Sequence, residues 1–143
     1  MKVIDNPMSK ESNLQYYSLL LNILDLPVEL REWIIRERAL YSSVIEDIKD
    51  TLINKPEVFF IRNRGLLITA EELDYNKATN LIKLELSDNK LHGIVDGVAT
   101  YKAIQGYIIN SKNPNEAFVR LEIITGSSMD EDEIQQLAIS RNA

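Results

Sequence analysis

Apolar residues recur along this chain with two different periods, and the switches between them predict its elements. From Leu81 to Leu86, Ile82, Leu84 and Leu86 alternate with Lys83 and Glu85, the period of two that marks a half-buried strand. Val44, Ile45, Ile48 and Leu52 recur instead at helical spacing, opened by the capping box Ser43-Val44-Ile45-Glu46 and closed by Lys55-Pro56. Upstream, Met1 to Ser9 is polar and predicts a loose start. Ser12-Asn13-Leu14-Gln15 reads as a second capping box and predicts a helix with Leu14, Tyr17, Leu20, Leu21 and Leu24 on one face, ended by Pro27. A short helix is expected around Val28 to Ile35, with Leu30, Trp33 and Ile34 inward and Arg31, Arg36 and Arg38 forming either a solvated face or a binding patch.

Strand signals fill the middle third. Val58 to Arg62 reads as a buried strand, Asn63-Arg64-Gly65 as a turn into a strand over Leu66 to Glu71, and Asp74 to Thr79 as the turn before Leu81 to Leu86. Ser87 to Lys90 turns back into a strand over Leu91 to Val95, which makes an antiparallel meander. The apolar stripe from Ile45 to Leu52 is expected to lie across that meander and cover Ile82, Leu84 and Leu86. Asp96-Gly97 then turns into a helix carrying Val98, Tyr101, Ile104 and Ile108 inward as far as Ile109. After a polar loop, Ala117 to Ile124 returns as a strand with Val119, Leu121 and Ile123 on one side, so the strand, helix, strand crossover predicts parallel pairing of its two strands. Ser128-Met129-Asp130-Glu131 caps a last helix, whose acidic first turn, Asp130 to Glu133, reads as a helix start or a metal site. The expected fold class is α/β (α+β): a mixed sheet with an antiparallel meander and one crossover, flanked by helices.

Composition narrows the classes. A chain of 143 residues with 45% hydrophobic and 27% charged residues suits a single globular core. There is no cysteine and only one histidine, His92, so neither a disulfide framework nor a multi-histidine metal centre is expected. The polar start and the lack of a long apolar run predict a cytoplasmic protein without a membrane span. A net charge of −6 argues against broad attraction to nucleic acid, although a local basic patch could serve a specific site.

The candidate chemistry gathers at the Asp96-Gly97 turn. A helix leaving a buried strand presents unpaired N–H groups, and Gly97 suits a sharp turn or a close approach. Asp96 reads as an N-cap or a ligand-binding carboxylate, and Thr100 as a ligand hydroxyl or a partner of local backbone. An anion bound beside Asp96 would need cations, for which Arg62 and Arg64, flanking Asn63, are the candidates; Asn63 reads equally as a turn cap. His92 reads as an acid/base or as a packed residue. No nucleophile and base pair is visible, no metal is expected, and the residues specify no cofactor.

Several segments in order resemble the AIPR family, named for abortive infection and phage resistance. Pro56-Glu57-Val58-Phe59-Phe60-Ile61-Arg62-Asn63-Arg64-Gly65-Leu66 resembles its "PExFFxxNNGI" segment, with Asn63 and Gly65 matching. Ile94 to Thr100 stands where the family has "IVNGxQT", so Gly97 and Thr100 match while Asp96 replaces Asn and Ala99 replaces Gln. Phe118 to Ile123 resembles "VxVRII", and Leu137 to Asn142 resembles the helix leading to an "NxQ" segment, the chain ending before that Gln. More distantly the resemblance extends to DGQHR-motif proteins and the ParB/sulfiredoxin-like superfamily. It implies an N-terminal helical segment over residues 1–40 and an AIPR-like domain over 41–143, the chain being a piece of a longer protein. It also implies a phage-defence role with nucleic acid or nucleotide bound through Arg62, Asn63, Gly65, Asp96, Gly97, Thr100 and Asn142. Catalysis as a nuclease or nucleotide hydrolase is within the family's reach, but this chain leans away from it, since polar residues that relatives carry after the glycine are replaced by Val98, Ala99 and Thr100. The other reading is a non-catalytic module that contacts a protein partner or a second copy.

Overall fold

The computed structural model describes residues 6–35 and 42–141. In chain order its elements are α1 (Ser9–Ser12), β1 (Leu14–Asn22), 3-10 turns at Ile23–Asp25 and Val28–Glu32, α2 (Ser42–Asn54), a 3-10 turn at Pro56–Val58, α3 (Phe59–Arg62), β2 (Leu66–Ala70), β3 (Glu72–Asn76), β4 (Leu81–Glu85), β5 (Gly93–Asp96), α4 (Val98–Ile109), β6 (Phe118–Gly126) and α5 (Glu131–Arg141). Four strands form a mixed sheet in the order β1-β6-β2-β5, and β3 and β4 form a separate two-stranded hairpin. β6 is central to this α/β fold, antiparallel to β1 and parallel to β2. β2 is buried at all five positions, as a strand covered on both faces must be.

Each face of the sheet has its own core. On one, Leu66, Ile68, Ile94, Val119, Leu121 and Ile123 meet Leu52 of α2, Phe59 of α3, and Val98, Tyr101 and Ile104 of α4. On the other, Leu67, Val95 and Ile124 meet Met129, Ile134 and Ala138, which brings α5 onto the sheet. Glu122 fastens that helix: its carboxylate accepts from the Tyr16 hydroxyl at 2.7 Å and pairs with Arg141 near the end of α5. Burial, with the bond to Glu122 adding to it, raises the Tyr16 hydroxyl above its ordinary pKa.

Several expected elements differ. Leu14 to Leu24 is not a helix but mostly strand, because its uncharged run finds a nine-residue register against β6, from Leu14 opposite Gly126 to Asn22 opposite Phe118. Val58 to Arg62 is helical rather than a strand. Pro56 opens a 3-10 turn that runs on into α3, burying Phe59 and leaving Ile61 outside. The meander is interrupted: β2 pairs directly with β5, and the chain between them folds out as the β3–β4 hairpin, whose turn begins after Asn76. β5 and β6 are not parallel neighbours, since β2 lies between them, antiparallel to one and parallel to the other.

The stripe on α2 packs chiefly against α4 rather than across β4. Around Val28 to Ile35 the structure has a 3-10 turn, followed by a bridge in which Ile94 donates to the Trp33 carbonyl at 2.7 Å. Arg36 and Arg38 lie outside the described residues. Asp130, not Ser128, caps α5, accepting from the Glu133 N–H at 2.8 Å. No helix among the described residues is long and apolar enough to cross a membrane.

Candidate functional site

The two turns singled out in the sequence lie side by side. β5 ends at Asp96, and Gly97, with φ of 95°, occupies the N-cap of α4 without any side-chain cap, so the expected capping role of Asp96 is not the one the backbone uses. A Cβ on Gly97 would collide with the Gly65 carbonyl oxygen and lie 2.8 Å from Leu66 Cδ2. Both its backbone angle and this close approach therefore call for glycine. Gly65, with φ of 81°, is pressed in turn against the Arg120 carbonyl of β6. Three chain segments thus meet through backbone.

One side-chain bond locks the contact. The Thr100 hydroxyl donates to Asn63 Oδ1 at 3.1 Å, across 37 residues of sequence, and the same oxygen accepts the Gly65 N–H at 2.7 Å. Thr100 is buried, so the bond satisfies a hydroxyl that would otherwise be costly to enclose. Asn63 and Thr100 thereby serve each other, and what the joined turns leave open is charged. Arg62 and Arg64 are exposed. Asp96 is half-buried, set opposite Leu67 by a register shift in the β2–β5 pairing, and its carboxylate makes no hydrogen bond or ion pair among the described residues.

Six of the seven residues expected at the site (Arg62, Asn63, Gly65, Asp96, Gly97 and Thr100) therefore fall in one neighbourhood, while Asn142 lies outside the described residues. Sequence reasoning missed Arg120, which is exposed and whose carbonyl lies against Gly65. The inward alternation of Val119, Leu121 and Ile123 was the signal that could have found it, because it assigns Arg120 to the opposite face. His92 stands apart in a structural role: its Nδ1 accepts the N–H groups of Ser87 and Asp88, each at 3.1 Å, and holds the loop before β5.

A second concave region escaped the sequence altogether. A cavity of about 530 Å³ opens between the β3–β4 hairpin and the sheet, lined by Leu19, Leu30, Ile68, Ile82, Leu84 and Leu121 among others. Its apolar lining suits an apolar molecule better than a phosphate. Among the described residues no group of three or more His, Cys, Asp or Glu is placed to hold a metal ion, and at the acidic start of α5 the Asp130 carboxylate is engaged in capping.

No curated protein and no solved structure matches the chain. The AIPR protein family matches residues 35–143, a span that takes in both turns, all of α2 to α5 and the central strand β6. With most of its length covered, and the motif residues Asn63, Gly65, Gly97 and Thr100 brought into one packed junction, the chain belongs to the AIPR protein family, which is associated with abortive-infection phage resistance.

Proposed function

We propose that this AIPR domain acts in phage defence by binding nucleic acid or a nucleotide at the junction of the Asn63–Gly65 and Asp96–Thr100 turns. The observation that carries this reading is the Thr100–Asn63 bond with the Gly65–Gly97 contact beside it, which together make one rigid surface from two distant motifs. Each residue then has a chemical role. Arg62 and Arg64 meet phosphate oxygens, for which a guanidinium fork is well matched. Asp96, an acceptor only, takes a hydrogen bond from a ribose hydroxyl or a base amino group and disfavours a free anion at the helix end. The more distant likeness to the ParB/sulfiredoxin-like superfamily belongs to this same reading.

Fluorescence anisotropy with single-stranded DNA, RNA and a nucleoside triphosphate, over a range of salt, tests it. Binding should weaken with salt, and Arg62→Ala with Arg64→Ala should lower the log–log salt slope by about 0.7–0.9 per lost phosphate contact. Absence of binding to all three by the folded protein would overturn the proposal. That outcome would favour the second reading, a non-catalytic protein-interaction module, which draws support from the way Asn63 and Thr100 satisfy one another.

A further inference from the structure

Beyond Leu14, whose N–H and carbonyl bond to the Ser12 and Asn6 side chains, the outer edge of β1 pairs with no other strand among the described residues. Ile23 donates to the Ala117 carbonyl at 2.9 Å, continuing the β1–β6 ladder by one pair. Because antiparallel pairs alternate, the odd-numbered residues of β1 bond to β6 and the even-numbered ones turn their N–H and C=O groups outward. The Asn6 side chain agrees with this phase, donating to the Leu14 carbonyl at 2.7 Å. The outward N–H and C=O groups of Tyr16, Ser18 and Leu20 and the Asn22 N–H have no backbone partner among the described residues, since β1 ends the sheet order, while the Asn22 carbonyl opens the 3-10 turn that follows.

An edge of this kind is ordinarily blunted by a lysine, a proline, a bulge or a covering segment. β1 has none of the first three. The register to β6 runs unbroken over nine residues, and from Leu14 to Leu24 the sequence holds no charged residue in a chain where 27% are charged. Leu20 is exposed at 38% on this strand.

We propose that β1 is a homodimerisation edge, pairing antiparallel with β1 of a second copy about a two-fold axis at Leu19. That register uses the free groups of Tyr16, Ser18 and Leu20: Ser18 faces the partner's Leu20, Tyr16 faces the partner's Asn22, and the two Leu19 residues face each other across the axis. Two features favour a second copy over a foreign strand. An antiparallel strand pair about a two-fold is self-complementary by symmetry. The absence of charge also removes like-charge repulsion at the axis, in a molecule whose net charge of −6 would otherwise oppose self-association. The result is a continuous eight-stranded sheet.

Light scattering coupled to size exclusion, on the 143-residue chain, should give a dimer. Ser18→Pro removes an outward N–H while sparing the ladder to β6, and Leu20→Lys sets a charge beside the axis. Both variants should run as monomers with the far-UV circular dichroism of the parent, and should lose the rise of Tm with protein concentration that dimerisation gives the parent. A monomeric parent overturns the proposal and leaves the edge to a strand from another protein or from more of this one. So does a dimer that survives both Ser18→Pro and Leu20→Lys.

Discussion

Replacing Gly97 and Gly106 by alanine should move stability in opposite directions, though both glycines belong to the same helical region. At Gly97 the φ of 95° costs an L-residue about 1–2 kcal/mol. The new Cβ would also meet the Gly65 carbonyl, which cannot retreat, because Gly65 is itself backed by the Arg120 carbonyl and tied through its N–H to Asn63. Overpacking of that kind adds about 1–3 kcal/mol, so Gly97→Ala should cost about 2–5 kcal/mol. At Gly106, inside α4, the new Cβ would lie 2.9 Å from Lys49 Cε and Nζ, the far end of a flexible side chain that can swing aside. The gain in helix propensity then dominates, a stabilisation of about 0.5–1 kcal/mol. For a domain of this size each kcal/mol shifts Tm by about 4 °C. Gly97→Ala should therefore lower Tm by roughly 8–20 °C, while Gly106→Ala raises it by a few degrees. Urea titration should show the midpoint moving with an unchanged slope. A Gly97→Ala midpoint equal to that of the parent, or the same direction of shift in both variants, would refute the account of this junction.

Tyr101→Phe should cost about 1 kcal/mol at neutral pH, because the Tyr101 hydroxyl, in a residue 2% exposed, bonds to the carbonyls of Pro27 at 2.8 Å and Val28 at 3.0 Å, and the Pro27 carbonyl would keep only its 3.4 Å bond from the Leu30 N–H. Burial also raises its pKa above the ordinary 10.0, so its contribution is complete below pH 10.0 and is lost as pH climbs through the higher folded value. The alkaline decline in stability should accordingly be shallower in Tyr101→Phe, which urea midpoints measured across that range would register. Asn115→Ala should weaken α2 by about 1–2 kcal/mol, since the Asn115 amide donates to the Leu52 and Ile53 carbonyls at the end of that helix. Hydrogen exchange should quicken in the last turn of α2, and unchanged protection there would count against the capping role.

What the sequence determined by itself was local. The alternation of Ile82, Leu84 and Leu86 appears as a half-buried strand because that period depends only on pleating, and the helix at Ser42–Asn54 follows from its own apolar spacing and the proline after it. The Asp96-Gly97 turn was legible for the same reason, since a positive φ narrows the choice of residue wherever the turn sits. Tertiary structure decided the rest. Leu14 to Leu24 satisfies a helical stripe as well as a strand, and only β6, about a hundred residues further on, supplies the partner that settles it. Val58 to Arg62 is apolar in either form, and burial of Phe59 beside α4 and the sheet selects the helix. Insertion of β2 between β5 and β6 depends on which strand edges pair across the sheet, something no spacing along the chain encodes. The roles of Asn63 and Thr100 were likewise out of reach: whether two polar side chains await a ligand or satisfy each other depends on a 3.1 Å contact that exists only once the sheet has brought their turns together.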